Sequence, residues 1–149
     1  MRHTESKHAQ ALFSWSKRQR GQLPGIELLV HVPNGGRRNR IEAARMKGEG
    51  VRKGFPDYLL PVPIGPFAGS VFELKTPGNY PTPEQRWWFA HLRRQSFLTF
   101  CAWDWLAASE FIRRYLQGQI TPDMVTPGER PSKDIRFYGD RADLNLPTP

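Results

Sequence analysis

Cysteine is almost absent. The chain has 149 residues and a single cysteine, Cys101, which excludes an intramolecular disulfide framework and any zinc cluster built on cysteines. Long apolar runs are missing: none approaches the ~20 residues of a membrane span, so no membrane partner is expected. The opening residues, MRHTESKHAQ, lack the apolar core of a signal peptide, and a reducing, cytoplasmic setting is the expectation. No internal repeat or low-complexity block occurs. Excess charge is missing from most of the chain as well. Residues 55–149 hold 10 Lys and Arg against 10 Asp and Glu, whereas residues 1–54 hold 12 against 4. The whole net charge of +8 therefore lies in the first third. That asymmetry points to a polyanionic partner, nucleic acid being the commonest, although a solvated face would read the same way.

What is present suits one domain. Apolar residues make up 38%, with 5 Trp, 9 Phe and 4 Tyr, and a chain of this length hides roughly 68–70% of its unfolded surface. Thr4 to about Arg20 has His8, Leu12 and Trp15 at helical spacing. Ile26–Val32 is an apolar run expected to form a buried strand, ending at the turn Pro33-Asn34-Gly35-Gly36. Asn39 and Glu42 sit at capping-box spacing for a short helix over 39–47. Asp57–Val62 and Ser70–Lys75 read as paired strands. Thr82-Pro83-Glu84-Gln85 opens a helix, Phe97–Ala102 is a further strand, and Asp104 to about Gln117 is the last helix. The main order, αβββαβα, predicts an α/β fold with a central mixed sheet flanked by helices. The domain is expected over residues 1–120. Residues 121–149, with five prolines and no periodicity, read as an irregular tail, mobile or lying over a partner surface.

The chemistry concentrates at Pro56-Asp57 and Glu73-Leu74-Lys75. With Asp57 at the start of one strand and Glu73 in its antiparallel neighbour, two carboxylates converge at one end of the sheet. Hard oxygen ligands of this kind suit Mg²⁺ or Mn²⁺. Glu73 and Lys75 share a face because side chains alternate along a strand, so Lys75 stands beside the metal, and the Leu74 carbonyl can join its shell. Such a site permits phosphodiester hydrolysis. The bare pattern equally permits a structural ion pair between Glu73 and Lys75.

The wider sequence resembles the PD-(D/E)xK nuclease superfamily, and within it the VRR-NUC domain. The likeness runs from about Glu5 to Leu116 through Pro33-Asn34-Gly35-Gly36, Lys47-Gly48-Glu49-Gly50-Val51, Gly54-Phe55-Pro56-Asp57, Phe72-Glu73-Leu74-Lys75, Pro83-Glu84-Gln85 and Ile112-Arg113-Arg114-Tyr115-Leu116. The resemblance implies a restriction-endonuclease-like core of the stand-alone viral or bacterial type. It makes Asp57 and Glu73 metal ligands, Leu74 a ligand through its carbonyl, and Lys75 the catalytic lysine. Glu5 matches an acidic residue on the first helix near the metal; it falls seven residues before Leu12, on a stripe expected to face inward, though a carboxylate at a helix N-terminus explains it too. Gln85 matches a glutamine close to the active site, and capping explains it equally well. Asn34, Arg37, Arg38, Arg40 and Lys53 are the candidate nucleic-acid contacts, with Asn34 also serving as a plain turn residue. His31 and Cys101 are expected to be packed in strands, and the tryptophans to be core, a subunit contact or stacking surfaces for unpaired bases. The implied function is a Mg²⁺- or Mn²⁺-dependent DNA nuclease, selective for flaps or Holliday junctions and acting as a homodimer in a bacterial or phage-infected cell. A sequence-specific restriction-type endonuclease and a non-catalytic DNA-binding module on the same fold are the alternatives.

Overall fold

In the computed structural model, residues 2–33 and 39–149 are described. Among them run α1 (Arg2–Arg18), β1 (Val30–His31), α2 (Arg40–Gly48), β2 (Tyr58–Leu60), β3 (Gly69–Leu74), α3 (Pro83–Arg94), β4 (Phe97–Ala102), α4 (Trp105–Leu116) and β5 (Ile135–Arg136). The strands form one sheet in sequence order. Only β3 and β4 are parallel, joined through α3; the other neighbours are antiparallel. A mixed sheet between helices is the α/β architecture the sequence predicts.

Alternation along the strands gives the sheet two unlike faces. Tyr58, Leu60, Phe72, Leu98, Phe100 and Ala102 join Leu12 and Trp15 of α1 and Phe111, Ile112 and Tyr115 of α4 in one hydrophobic cluster. Within it the rings of Tyr58, Phe72 and Phe100 stack across three strands, with centroids 4.9 and 4.7 Å apart. The intervening positions Val71, Glu73, Thr99 and Cys101 are just as buried and belong to the other face, which α3 covers with Phe89 and Ala90. α3 begins with the expected capping box: Thr82 accepts the Gln85 N–H and Gln85 accepts the Thr82 N–H, with Pro83 in the first turn. The Asp104 and Asn39 side chains cap α4 and α2 by accepting the Ala107 and Glu42 N–H groups, without the reciprocal bond.

Two expectations fail. Ile26–Val32 is not one strand but a 3₁₀ turn over Ile26–Leu28 followed by a two-residue strand. Gly25 enters it with φ +96°, and Ile26 and Leu29 turn inward at a spacing of three, the period of a 3₁₀ turn, while Leu28 and Val30 face outward. The segment 121–149, irregular over most of its length, is also not a free tail. Ile135–Arg136 pairs with β4 and completes the sheet, and Val125, Ile135 and Phe137 are buried in the same core. Arg93 donates to the Val125 carbonyl at 2.7 Å, and Arg86 meets Asp143 at 3.4 Å. Gly139, at φ +83°, lies so close to α3 that a Cβ there would stand 2.6 Å from the Ala90 nitrogen. Ile135 and Phe137 alternate as strand residues do, but the pattern is too short, among five prolines, to mark a strand in the sequence.

Phe72 lies between two stacked rings and is wholly buried. Phe72→Ala is expected to cost about 3–5 kcal/mol in urea unfolding; a loss under about 1 kcal/mol would show that the stack is not a main support of the sheet.

Candidate active site

The antiparallel register pairs Tyr58 with Phe72, so one step outward Asp57 stands opposite Glu73. Asp57 is held through its backbone: its carbonyl accepts the Val32 N–H at 2.7 Å and the His31 ring at 2.9 Å. A carbonyl only accepts, so His31 carries its proton on Nδ1. The sequence placed His31 in a packed strand; its side chain is instead exposed, tilted against Tyr58 with ring centroids 5.1 Å apart. The Asp57 side chain accepts the Leu74 N–H through Oδ2 at 3.2 Å.

Glu73 is 1% exposed, and neither of its carboxylate oxygens has a hydrogen-bond partner among the described residues. Burial, and after it the neighbouring Asp57 carboxylate, pushes the Glu73 carboxyl well above its ordinary 4.5, while Lys75 pulls the other way. Cys101 lies opposite Glu73 in β4, and burial followed by the Glu73 charge pushes its thiol up, keeping that neighbour neutral. Burial likewise takes the Tyr58 hydroxyl up to about 12, with Asp57 adding to the shift.

Lys75 leaves the sheet just after β3, where its N–H donates to the Ala102 carbonyl at 2.8 Å. Its Nζ donates to Gln85 Oε1 at 2.9 Å, and the same oxygen accepts the Thr82 N–H at 2.9 Å. The two readings of Gln85 are therefore not rivals: one oxygen closes the helix cap and holds the lysine. The Leu74 side chain packs against the hydrophobic cluster.

The remaining candidates are not gathered with this group. Glu5 is exposed rather than turned inward with Leu12, because it sits near the solvated start of α1. Arg40 is exposed on α2. Lys53 is exposed and pairs with Glu84 at 3.4 Å. Asn34, Arg37 and Arg38 lie outside the described residues. His31 was the site neighbour that sequence reasoning missed; nothing marks it before the β1–β2 pairing is known.

A metal fits the chemistry of this donor set. A buried carboxylate with both oxygens unpartnered, beside a second carboxylate, calls for a cation or a proton. Among the described residues no group of three or more His, Cys, Asp and Glu gathers around a point. One or two carboxylates, with waters and substrate phosphate completing the shell, is the way Mg²⁺ is commonly bound.

No family model matches the chain, and no curated protein matches it. A solved structure described as a "VRR_NUC domain protein" is similar to it, with a TM-score of 0.66 and 27% identity, covering 76% of this chain and 88% of that one. The chain thus has the fold of a VRR-NUC domain, the one its spaced motifs resemble. No described helix is long and apolar enough to cross a membrane.

The raised Glu73 carboxyl makes a prediction for stability. The folded chain holds that proton more tightly than the unfolded chain, so this contribution is full below about pH 4.5 and is lost as the pH rises through the folded value. In EDTA at neutral pH, Glu73→Gln is expected to raise the melting temperature by a few degrees and to flatten its pH dependence. Added Mn²⁺ should stabilise the wild type and not the variant. A variant that melts lower than wild type in EDTA would contradict this account of Glu73.

Proposed function

We propose that this chain is a divalent-metal-dependent nuclease that hydrolyses phosphodiester bonds in DNA. The observation that carries the reading is the buried, unpartnered Glu73 carboxylate beside Asp57, with Lys75, just past the end of the same strand, held by Gln85. A non-catalytic module has no use for that arrangement, since burying an unpaired carboxylate is costly. The similar VRR_NUC domain structure supports the same reading.

Asp57 and Glu73 would hold the ion, with the Leu74 carbonyl available as a third oxygen. When bound, Mg²⁺ or Mn²⁺ supplies positive charge to a phosphate oxygen and lowers the pKa of water. The Leu74 N–H and the backbone contacts of Asp57 fix that carboxylate before substrate arrives, which is the preorganisation such sites need. Lys75 points a cation at the same place; it orients the attacking water, or neutralises charge on the phosphate, from a position set by Gln85. DNA would be held mainly by the basic first third. There α2 presents Arg40, Arg45 and Lys47, buries no residue, and stands where phosphates can reach its cations.

The finer reading is cleavage of flaps or four-way junctions by a homodimer. Its support is the resemblance and the two-fold symmetry of a junction that must be cut twice; fold analogy is its warrant. A restriction-type enzyme would require a fixed sequence in place of a fixed shape.

Matched linear, flap and four-way substrates, incubated with Mg²⁺, Mn²⁺ or EDTA, test both levels. Wild type is expected to cut in the metals and not in EDTA, and to prefer the branched substrates. Lys75→Ala and Asp57→Ala are expected to lower cutting at least ~100-fold, the scale of one lost catalytic group, while DNA binding stays close to wild type. Undiminished cutting by either variant would remove the assigned site. Light scattering that returns a monomer, with and without junction DNA, would defeat the dimer.

A further inference from the structure

The outer side of α3 carries a feature that neither the core nor the catalytic group uses. Phe89 and Ala90 already bury the inner side of the helix, yet Trp87 and Trp88 remain half-exposed. Their rings meet edge to face at 5.0 Å. His91 lies against Trp87 with centroids 4.1 Å apart and planes 32° apart. The Arg52 guanidinium sits over both indoles, 4.6 Å from the Trp88 ring centre and 5.4 Å from that of Trp87. Trp88 is fixed in place: its Nε1–H donates to the Lys53 carbonyl at 3.0 Å, and Phe55 packs against it edge to face at 5.0 Å. The two indoles, His91, Leu92, Arg94 and Gln95 border an open cleft of about 360 Å³, within the roughly 300–1,000 Å³ of small-ligand clefts. His91 Nε2 is buried there without a hydrogen-bond partner.

We propose that this cleft seats an unpaired nucleobase of a single-stranded or flapped nucleic acid, stacked against the Trp87–His91 pair, with an adjoining phosphate against Arg94. The inference rests on the nuclease reading and extends it by naming where the unpaired part of the substrate is held. Rigid aromatic faces beside cations are how proteins hold single strands without reading their sequence. The charge argues against a second copy of the chain as occupant, because a two-fold contact on this cleft would bring Arg94 against its own counterpart. The location is on the same helix as Gln85: Trp88 follows it by three residues, under one helical turn.

The test is binding by the full chain in EDTA, where nothing is cut, using a fluorescein-labelled oligothymidylate, a flap, and a blunt duplex of equal length. Trp87→Ala is expected to weaken oligothymidylate and flap binding roughly tenfold, the scale of one lost base–aromatic stack, and duplex binding less than twofold. Trp87→Phe, which keeps a ring, should retain most of the affinity. Unchanged single-strand binding, an equal loss on all three ligands, or a variant that turns a wild-type dimer into a monomer would each overturn the proposal. If the alanine variant does not fold, crosslinking of wild type to an iodouracil-substituted oligonucleotide decides: adducts on Trp87 or His91 support the cleft, and adducts confined elsewhere refute it. Failure of the nuclease reading would look different, with no cleavage of any substrate in Mg²⁺ or Mn²⁺ while the single-strand preference in EDTA persists.

Discussion

The stacked rings of Tyr58, Phe72 and Phe100 fix the register on which the site depends. They lie on one row of paired residues running across β2, β3 and β4, packed against α1 and α4. The adjacent row on the opposite face contains Asp57, Glu73 and Cys101. Because strand side chains alternate, a slip of one residue would turn the aromatics away from the core and carry the carboxylates into it. Holding the aromatic row therefore holds the acidic row. The hydrophobic core does not merely lie beneath the site; it sets which two carboxylates face each other.

The opposite face shows what this arrangement costs. Glu73 is buried among neighbours that offer its oxygens no hydrogen bond, beside a group of like charge. Each surrounding device makes that tolerable without satisfying it. Cys101 stays neutral, Leu74 gives its N–H to Asp57, and the Lys75 charge pulls the Glu73 carboxyl downward while its ammonium donates to Gln85. Polar groups left unsatisfied in an otherwise well-packed sheet are the kind of local strain that functional sites retain. The same helix, α3, supplies Gln85 to the site, Phe89 to the packing and the Trp87–Trp88 pair to the outer surface. Its capping box sets the start of the helix and so the azimuth of all three.

The C-terminal segment has a comparable role at the far edge. By pairing with β4 and packing Ile135 and Phe137 into the core, it covers what would be an exposed sheet edge. Its contacts with Arg86 and Arg93 tie it to α3. Both edges of the sheet end in strands only two residues long.

Much of this was legible in the sequence because it is written in short range. Capping residues, helical stripes and alternating strands are local patterns, so α3, α4, β3 and β4 fall close to their expected places. Asp57, Glu73 and Lys75 stand out by spacing and by the motifs around them. Three things were not legible, and each depends on contacts between distant residues. His31 reaches the Asp57 carbonyl only because β1 pairs with β2. Val125, Ile135 and Phe137 become core only when the last segment folds back on α3 and β4. Gln85 unites two roles only because the start of α3 is brought to the end of β3. By itself the sequence determined the chemistry available and the elements that carry it. The tertiary structure decided which atoms meet, since register, burial and the closing of one element on another are properties of the packed whole.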